Sequence, residues 1–159
     1  MPQLLIRIDD RLIHGQVIVA WCPVLSPDRI LLCDDEIAEI PWERDIFERA
    51  AGDIQVSICT VVETIDFLQR PEITHEKIFL IAESPATIVR LLQGGAEIRE
   101  VVVGGMHYDE GKRKVADYIY VTPKDIESFR VLHQNHVKLC GQNIPNCKAI
   151  DLSSCLKFS

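Results

Sequence analysis

Short apolar runs that alternate with helix-forming segments constrain the fold of this chain more than any other feature. Most of these runs are apolar at successive positions, as expected of strands buried on both faces. They are LLIRI from Leu4, RILLC from Arg29, IQVSIC from Ile54, KIFLIA from Lys77, IREVVV from Ile98, YIYV from Tyr118 and VKLCG from Val137. Strands of this kind, separated by helices, predict an α/β fold with an open, mostly parallel, twisted β-sheet and helices on both faces.

Polar residues mark the starts of helices between the apolar runs. Thr60 and Glu63 have the spacing of a capping box. Ser84 and Thr122 each precede a proline, the residue favoured at the first helical position. No internal repeat or linker interrupts the pattern, so residues 1–159 are expected to form a single domain.

Composition and charge exclude several classes of function. The chain carries 24 acidic and 17 basic side chains, a net charge of −7, whereas nucleic-acid binding requires a basic face. No apolar run reaches the ~20 residues that span a bilayer, and charged residues interrupt the N-terminal apolar stretch, so no signal peptide is expected. The six cysteines form no CxxC pair and mostly stand among apolar residues, which favours reduced, buried thiols in a cytoplasmic protein.

A histidine surrounded by charge follows the first predicted strand. In LLIRIDDRLIHGQVIVAW, from Leu4, the apolar run leads into the loop DRLIH, and a helix is predicted to start near Gly15. Ligands of open α/β sheets bind at this carboxyl edge, and the unpaired N–H groups of a helix start favour anions. Arg7 and Arg11 add guanidinium groups that suit phosphate oxygens. His14 is therefore a candidate acceptor of a phosphoryl group.

Phosphoryl transfer to His14 requires a neutral imidazole, because a protonated ring has no free lone pair on the attacking nitrogen. Cationic neighbours and a helix N-terminus disfavour the imidazolium. Asp9 or Asp10 could hydrogen-bond the other ring nitrogen or hold an arginine, and the sequence leaves both assignments open. The alternative is that His14 merely ends a loop beside a solvated Arg11–Asp10 pair. A metal site is the weaker reading, since no second ligand stands at helical spacing.

The stretch RIDDRLIHGQV from Arg7 resembles the phosphorylation-site motif of one protein family, the IIB components of the mannose/fructose/sorbose family of the bacterial sugar phosphotransferase system. The likeness continues in order through DDEIA from Asp34, LLQGGAEIREVVVGGMH from Leu91 and the late QNIP that ends at Pro145. It covers nearly the whole chain. The fold that the resemblance implies agrees with the α/β sheet predicted from the apolar runs.

The resemblance implies a cytoplasmic phosphocarrier that works without a cofactor, peripherally associated with a membrane permease. His14 would accept a phosphoryl group from a IIA component and pass it to a sugar held by the membrane components IIC and IID. That activity is a protein-N(pi)-phosphohistidine–sugar phosphotransferase. An alternative is a regulatory protein of the same fold, in which phosphorylation of His14 controls association with a partner. A homo-oligomer is compatible with either.

The residues around His14 receive expected roles from this comparison. Arg7 and Arg11 would balance the phosphoryl charge, with Asp10 beside them. Gly15 would allow close approach of the backbone to the phosphoryl group, and Gln16 would supply a donor at the helix start.

The segment VVVGGMH places two glycines and a histidine after another predicted strand. Gly104 and Gly105 are expected to shape the phosphate site, although a tight turn also requires glycine. His107 is expected to be merely exposed, and the basic run EGKRK from Glu110 to be solvated.

Overall fold

The computed structural model describes residues 2–158, which form strands and helices in alternation. The strands are β1 (Gln3–Asp9), β2 (Arg29–Cys33), β3 (Val56–Cys59), β4 (Lys77–Ala82), β5 (Glu100–Gly105), β6 (Arg113–Ala116), β7 (Ile119–Val121), β8 (Lys138–Gly141) and β9 (Ile150–Asp151). The α-helices are α1 (Cys22–Leu25), α2 (Pro41–Ala50), α3 (Val61–Leu68), α4 (Pro85–Gln93), α5 (Pro123–Gln134) and α6 (Leu152–Cys155). A π-helical segment, Gln16–Trp21, leads directly into α1.

Seven strands form one sheet in the order β3-β2-β4-β1-β5-β8-β9. Every neighbouring pair is parallel except β8 and β9, which are antiparallel. The predicted open, mostly parallel α/β sheet is therefore confirmed. Its strands are buried on both faces, which explains why the apolar runs do not alternate with polar residues.

The predicted strand at YIYV is a strand, but it lies outside the main sheet. It forms β7, which pairs with β6 in a separate antiparallel hairpin. The basic run EGKRK, expected to be a solvated loop, contributes Arg113 and Lys114 to β6. Strand propensity indicates an extended segment and leaves the pairing partner to tertiary contacts.

Helices cover both faces of the sheet, as predicted. On one face, α3, α4 and α5 pack their fully or nearly fully buried side chains, among them Val61, Ile88 and Phe129, against strand residues such as Ile8 and Leu80. On the other face, the π-helical segment, α1 and the region of α2 form a second, smaller core. Its residues include Val17, Trp21, Ile30, Leu32 and Phe79.

The two faces meet at the carboxyl end of β1. The loop after β1 leads to the helices of the smaller core, whereas the loop after the adjacent β4 leads to α4 on the opposite face. The chain after β5, the other neighbour of β1, reaches α5 on that same opposite face. Such a reversal between adjacent strands opens a crevice at the carboxyl edge of an α/β sheet. His14 lies at this crevice.

The predicted helix starts agree with the structure, with two differences. Thr60 and Thr122 each complete a capping box with the third residue of the helix. Ser84 precedes α4, but its side chain caps no helical N–H. The helix expected near Gly15 begins at Gln16, and its first turns are π-helical. Among residues 2–158, no helix combines the length and the apolar character needed to cross a bilayer.

Candidate functional site

Asp9, the last residue of β1, is at the centre of the candidate site. Its side chain is fully buried, and its carboxylate contacts three side chains. Nη2 of Arg7 donates to Oδ2 at 3.3 Å, and Nε of Arg11 donates to Oδ1 at 3.2 Å. Nε2 of His14 lies 3.1 Å from Oδ2. Burial raises the pKa of Asp9, but the hydrogen bonds from His14 and Arg11 outweigh burial and hold the pKa below its ordinary value.

The contact with Asp9 fixes the proton on the ring of His14. An ionised carboxylate only accepts hydrogen bonds, so Nε2 carries the proton in this pair. Nδ1 of His14 accepts the backbone N–H of Gln16 at 3.3 Å, and it therefore has a lone pair. The side chain of His14 keeps 18% of its surface exposed, so the ring is not sealed in the core. The neutral ring thus holds its lone pair on Nδ1, at the start of the helical segment.

The structure separates the two neighbouring aspartates. Asp10, which was expected in the site with its role left open, accepts the backbone N–H of His107 at 2.8 Å and lies within hydrogen-bond distance of Nδ1 of the same residue. Its backbone N–H donates to the carbonyl of Gly105 at 3.0 Å. Asp9 is therefore the aspartate that binds His14. Side-chain alternation along β1, which places Arg7 and Asp9 on the same side, is the sequence signal for this assignment.

Arg7 and Arg11 contact Asp9 from different environments. The side chain of Arg7 is 2% exposed and donates to the carbonyls of Gln142 at 3.1 Å and Asn143 at 2.9 Å. Burial lowers the pKa of Arg7, and Asp9 opposes that shift. Arg11 is 49% exposed and donates to Oε1 of Gln16 at 2.9 Å. Arg7 thus supports the site from below through Asp9, whereas Arg11 extends into the open part of the site.

Asn143 is a part of the site that the sequence analysis did not single out. Its backbone carbonyl accepts one hydrogen bond from the guanidinium of Arg7 and another, at 2.9 Å, from Nε1 of Trp21. The guanidinium carbon of Arg7 lies 4.9 Å from the centre of the Trp21 ring, a cation–π distance. In the sequence, QNIP was noted only as part of the family resemblance. Its backbone carbonyls, at Gln142 and Asn143, hold the guanidinium of Arg7.

The glycines near the site differ in the room that they leave. A Cβ on Gly104 would overlap the guanidinium of Arg7, and a Cβ on Gly105 would lie 3.0 Å from Oδ1 of Asp9 and 3.3 Å from Nη2 of Arg11. A Cβ on Gly15 would meet nothing within 4 Å. Gly104 and Gly105 therefore make room for the charged cluster itself, and the space above Gly15 is open.

A shallow depression of about 220 Å³ lies over the loop, and its lining includes Arg11, Gln16, Gly105, His107 and Asn143. A larger depression of about 760 Å³ lies beside β8 and β9 and contains neither Arg11 nor Gln16. Of these two, the smaller depression adjoins the candidate site through Arg11 and Gln16. Another, of about 270 Å³, reaches Arg7 and Trp21 but is otherwise lined mainly by apolar residues such as Leu5 and Phe79.

Other acceptor chemistries find less support near this edge. Within residues 2–158, no three His, Cys, Asp or Glu side chains are grouped as a metal ion would require. Cys33 ends β2 at the same edge of the sheet, and burial raises the pKa of its thiol to about 11. A thiol of this kind is a poor nucleophile at neutral pH, since the thiolate is the reactive form.

An open parallel sheet with a charged loop at its carboxyl edge defines a class of α/β domains that bind ligands at that edge. The family model of the sorbose-subfamily IIB component of the phosphotransferase system matches residues 3–159. The N-acetylgalactosamine-specific phosphotransferase enzyme IIB component 2 of Escherichia coli is 35% identical over 154 residues, 96% of this chain and 98% of that protein.

Two further relatives extend the comparison. The mannose-specific EIIAB component of Escherichia coli is 33% identical over 154 residues, 94% of this chain and 48% of that protein. The crystal structure of the IIBSor domain of the sorbose permease from Klebsiella pneumoniae has a TM-score of 0.91 at 27% identity, covering 98% of this chain and 96% of that chain. The chain belongs to the sorbose subfamily of phosphotransferase-system IIB components.

Proposed function

We propose that the chain is a phosphocarrier in which Nδ1 of His14 accepts a phosphoryl group from a IIA component and passes it to a sugar bound by IIC and IID components. The contact between Asp9 and Nε2 of His14 is the main support, because it leaves the lone pair on Nδ1. Nδ1 is also the nitrogen that lies beside the backbone N–H of Gln16.

In the accepting step, Nδ1 attacks phosphorus while the bond between phosphorus and the donor nitrogen breaks. The ring gains positive charge as the new bond forms, and the carboxylate of Asp9 on Nε2–H stabilises that charge. The N–H of Gln16, which bonds Nδ1 in the free protein, becomes available to a phosphoryl oxygen. The backbone at Gly15 has open space above it, which allows the group to approach closely.

Charge balance favours a phosphoryl group at this position. Arg7, Arg11 and Asp9 together contribute two positive charges and one negative charge. The exposed guanidinium of Arg11 adjoins Gln16 and is suited to grip phosphoryl oxygens. Gly105 and Gly104 keep the cluster compact, so that Arg7 neutralises Asp9 from below and Arg11 remains available to the dianion.

The partners in this proposal follow from the family. The mannose relative joins A and B components in one chain by its name, which supports a IIA component as the donor. The names of the relatives specify N-acetylgalactosamine, mannose or sorbose, and we expect a hexose or an N-acetylhexosamine as the final acceptor. The protein would act at the cytoplasmic side of the membrane, peripherally bound to its permease.

A labelling experiment tests the proposal. Incubation with a phosphorylated IIA component should label one acid-labile, base-stable site, and His14→Ala should abolish the label. His75→Ala is the matched control, because His75 is exposed and precedes β4 at the opposite edge of the sheet. It should label like the unmodified chain. A full label on His14→Ala would refute the proposal.

A further inference from the structure

Two consecutive aspartates each hold a histidine at the carboxyl edge of the sheet. Asp9 binds the ring of His14. Asp10 binds both the backbone N–H and the ring of His107. His107 was expected to be merely exposed, and its side chain is indeed 70% exposed. However, its ring is bonded to the carboxylate of Asp10, whose side chain is only 13% exposed.

The contact with Asp10 orients the free nitrogen of His107. A carboxylate only accepts hydrogen bonds, so Nδ1 of the neutral ring carries the proton and Nε2 has the lone pair. The loop is held from its other side by Lys112, whose Nζ donates to the carbonyl of His107 at 3.2 Å. His107 therefore presents a basic nitrogen on a ring that Asp10 orients, while hydrogen bonds to its backbone N–H and carbonyl hold the loop in place.

His107 lines the same 220 Å³ depression as Arg11 and Gln16. Both of those residues belong to the candidate phosphoryl site, because Gln16 contacts Nδ1 of His14 and Arg11 contacts Gln16. A phosphoryl acceptor in the depression would thus lie against His107 and beside Arg11 and Gln16, the second of which contacts His14. The two histidines hold their protons on opposite ring nitrogens, Nε2 in His14 and Nδ1 in His107.

We propose that His107 is the general base that removes the hydroxyl proton of the sugar during transfer from His14. In this step the bond between phosphorus and Nδ1 of His14 breaks, and a bond forms between phosphorus and the sugar oxygen. The hydroxyl proton moves to Nε2 of His107 and is later released to water. Asp10 is a positioning residue, which orients the ring and stabilises its protonated form. This inference rests on the proposed function.

The two half-reactions differ in their need for a base. Transfer between the neutral imidazole of a donor and that of His14 moves no proton, because each acceptor nitrogen has a free lone pair. A sugar hydroxyl must lose its proton when it becomes a phosphate ester. Phosphotransferases that act on hydroxyl groups use a side chain to accept this proton, and general-base catalysis contributes roughly 10²–10⁴-fold.

The variant His107→Asn separates chemistry from structure. Its amide N–H can replace Nδ1–H as a donor to Asp10, but it supplies no basic nitrogen in place of Nε2. We expect phosphoryl exchange with a IIA component to stay within about twofold of the unmodified chain. Transfer to sugar, in vesicles that contain the IIC and IID components, should slow by roughly 10²-fold or more at saturating sugar. The dependence of the rate on vesicle concentration should not change.

Each other outcome has a defined meaning. Unchanged transfer to sugar by His107→Asn would overturn the inference, as would an equal loss in both half-reactions. If the variant needed a higher vesicle concentration to reach half of an unchanged maximal rate, His107 would be assigned to docking, which would also overturn the inference. His107→Gln, which lacks a base but differs in length, repeats the test if the Asn variant folds poorly. Failure of His14 to label in the unmodified chain would instead refute the proposed function.

Discussion

At the scale of single residues, Asp9 combines complete burial with three charged or polar contacts. One buried carboxylate holds an imidazole and two guanidiniums, and one of those guanidiniums is itself buried. The neighbouring Asp10 contacts a different histidine. Two adjacent and chemically identical side chains therefore perform different tasks, because Asp9 ends β1 whereas Asp10 lies in the turn that follows it.

Replacing the carboxylate of Asp9 should damage both stability and transfer. Asp9→Asn leaves the buried Arg7 without a countercharge, and breaking such a pair costs about 3–5 kcal/mol. An amide can also donate to Nε2, which shifts the ring proton to Nδ1 and should slow labelling of His14 by about 10²-fold or more. Urea unfolding and the labelling rate measure the two effects. Asp10→Asn is the control for stability, and an equal loss of stability in both variants would contradict the role of Arg7.

The room left by Gly104 gives a second prediction. Gly104→Ala would place a methyl group in the guanidinium of Arg7 and should lower the free energy of unfolding by about 1–3 kcal/mol, as overpacking does. Gly15→Ala meets open space and should change stability by no more than about 0.5 kcal/mol. Chemical denaturation compares the pair. Equal stability of the two variants would show that Arg7 moves without cost.

At the scale of elements, local patterns predicted most of the strands and helix starts. β1, β2, β4 and β5 were readable because each is apolar over several successive residues. The pairing of β7 was not, since the same extended residues can pair in a sheet or in a hairpin. The π-helical winding after His14 has no signature in six residues of mixed apolar sequence. Local sequence thus indicates the type of element better than its partner or its winding.

Helix capping provides the prediction at this scale. Thr60 and Thr122 accept the backbone N–H of Glu63 and Asp125, at 3.1 Å each. Replacing either threonine by alanine should lower the free energy of unfolding by about 1 kcal/mol. Ser84→Ala should cost less, because the Ser84 side chain accepts no such bond. Thermal or urea unfolding of the three variants checks the order, and a loss at Ser84 as large as the other two would contradict it.

At the scale of the whole molecule, the site joins parts of the chain that are far apart in sequence. The guanidinium of Arg7 donates to carbonyls 135 and 136 residues later. Alternation along β1 indicates which side of the strand Arg7 occupies, but only the order of strands brings Gln142 and Asn143 to it. For this reason the loop that carries His14 could be located from the sequence. The contacts that hold Arg7 could be seen only in the folded structure.

The pH dependence of stability belongs to this scale, because Asp9 pairs with Arg7, which joins β1 to the loop after β8. The pKa of Asp9 lies below its ordinary value in the folded protein, so the unfolded chain binds this proton first as the pH falls. The stabilisation by Asp9 is complete above the ordinary pKa of about 3.9 and is lost as the pH falls through the folded pKa. The stability difference between the unmodified chain and Asp9→Asn should therefore shrink below about pH 4. Urea unfolding at several pH values measures it, and a constant difference would contradict the contribution of Asp9.

The lengths of the two outermost strands bear on how copies of the protein behave at high concentration. β3 has four residues and β9 has two. Unpaired backbone groups along a sheet margin are templates on which another chain can add a strand and begin to aggregate. Margins this brief offer few such groups, so fibril growth by strand addition is disfavoured in a crowded cell.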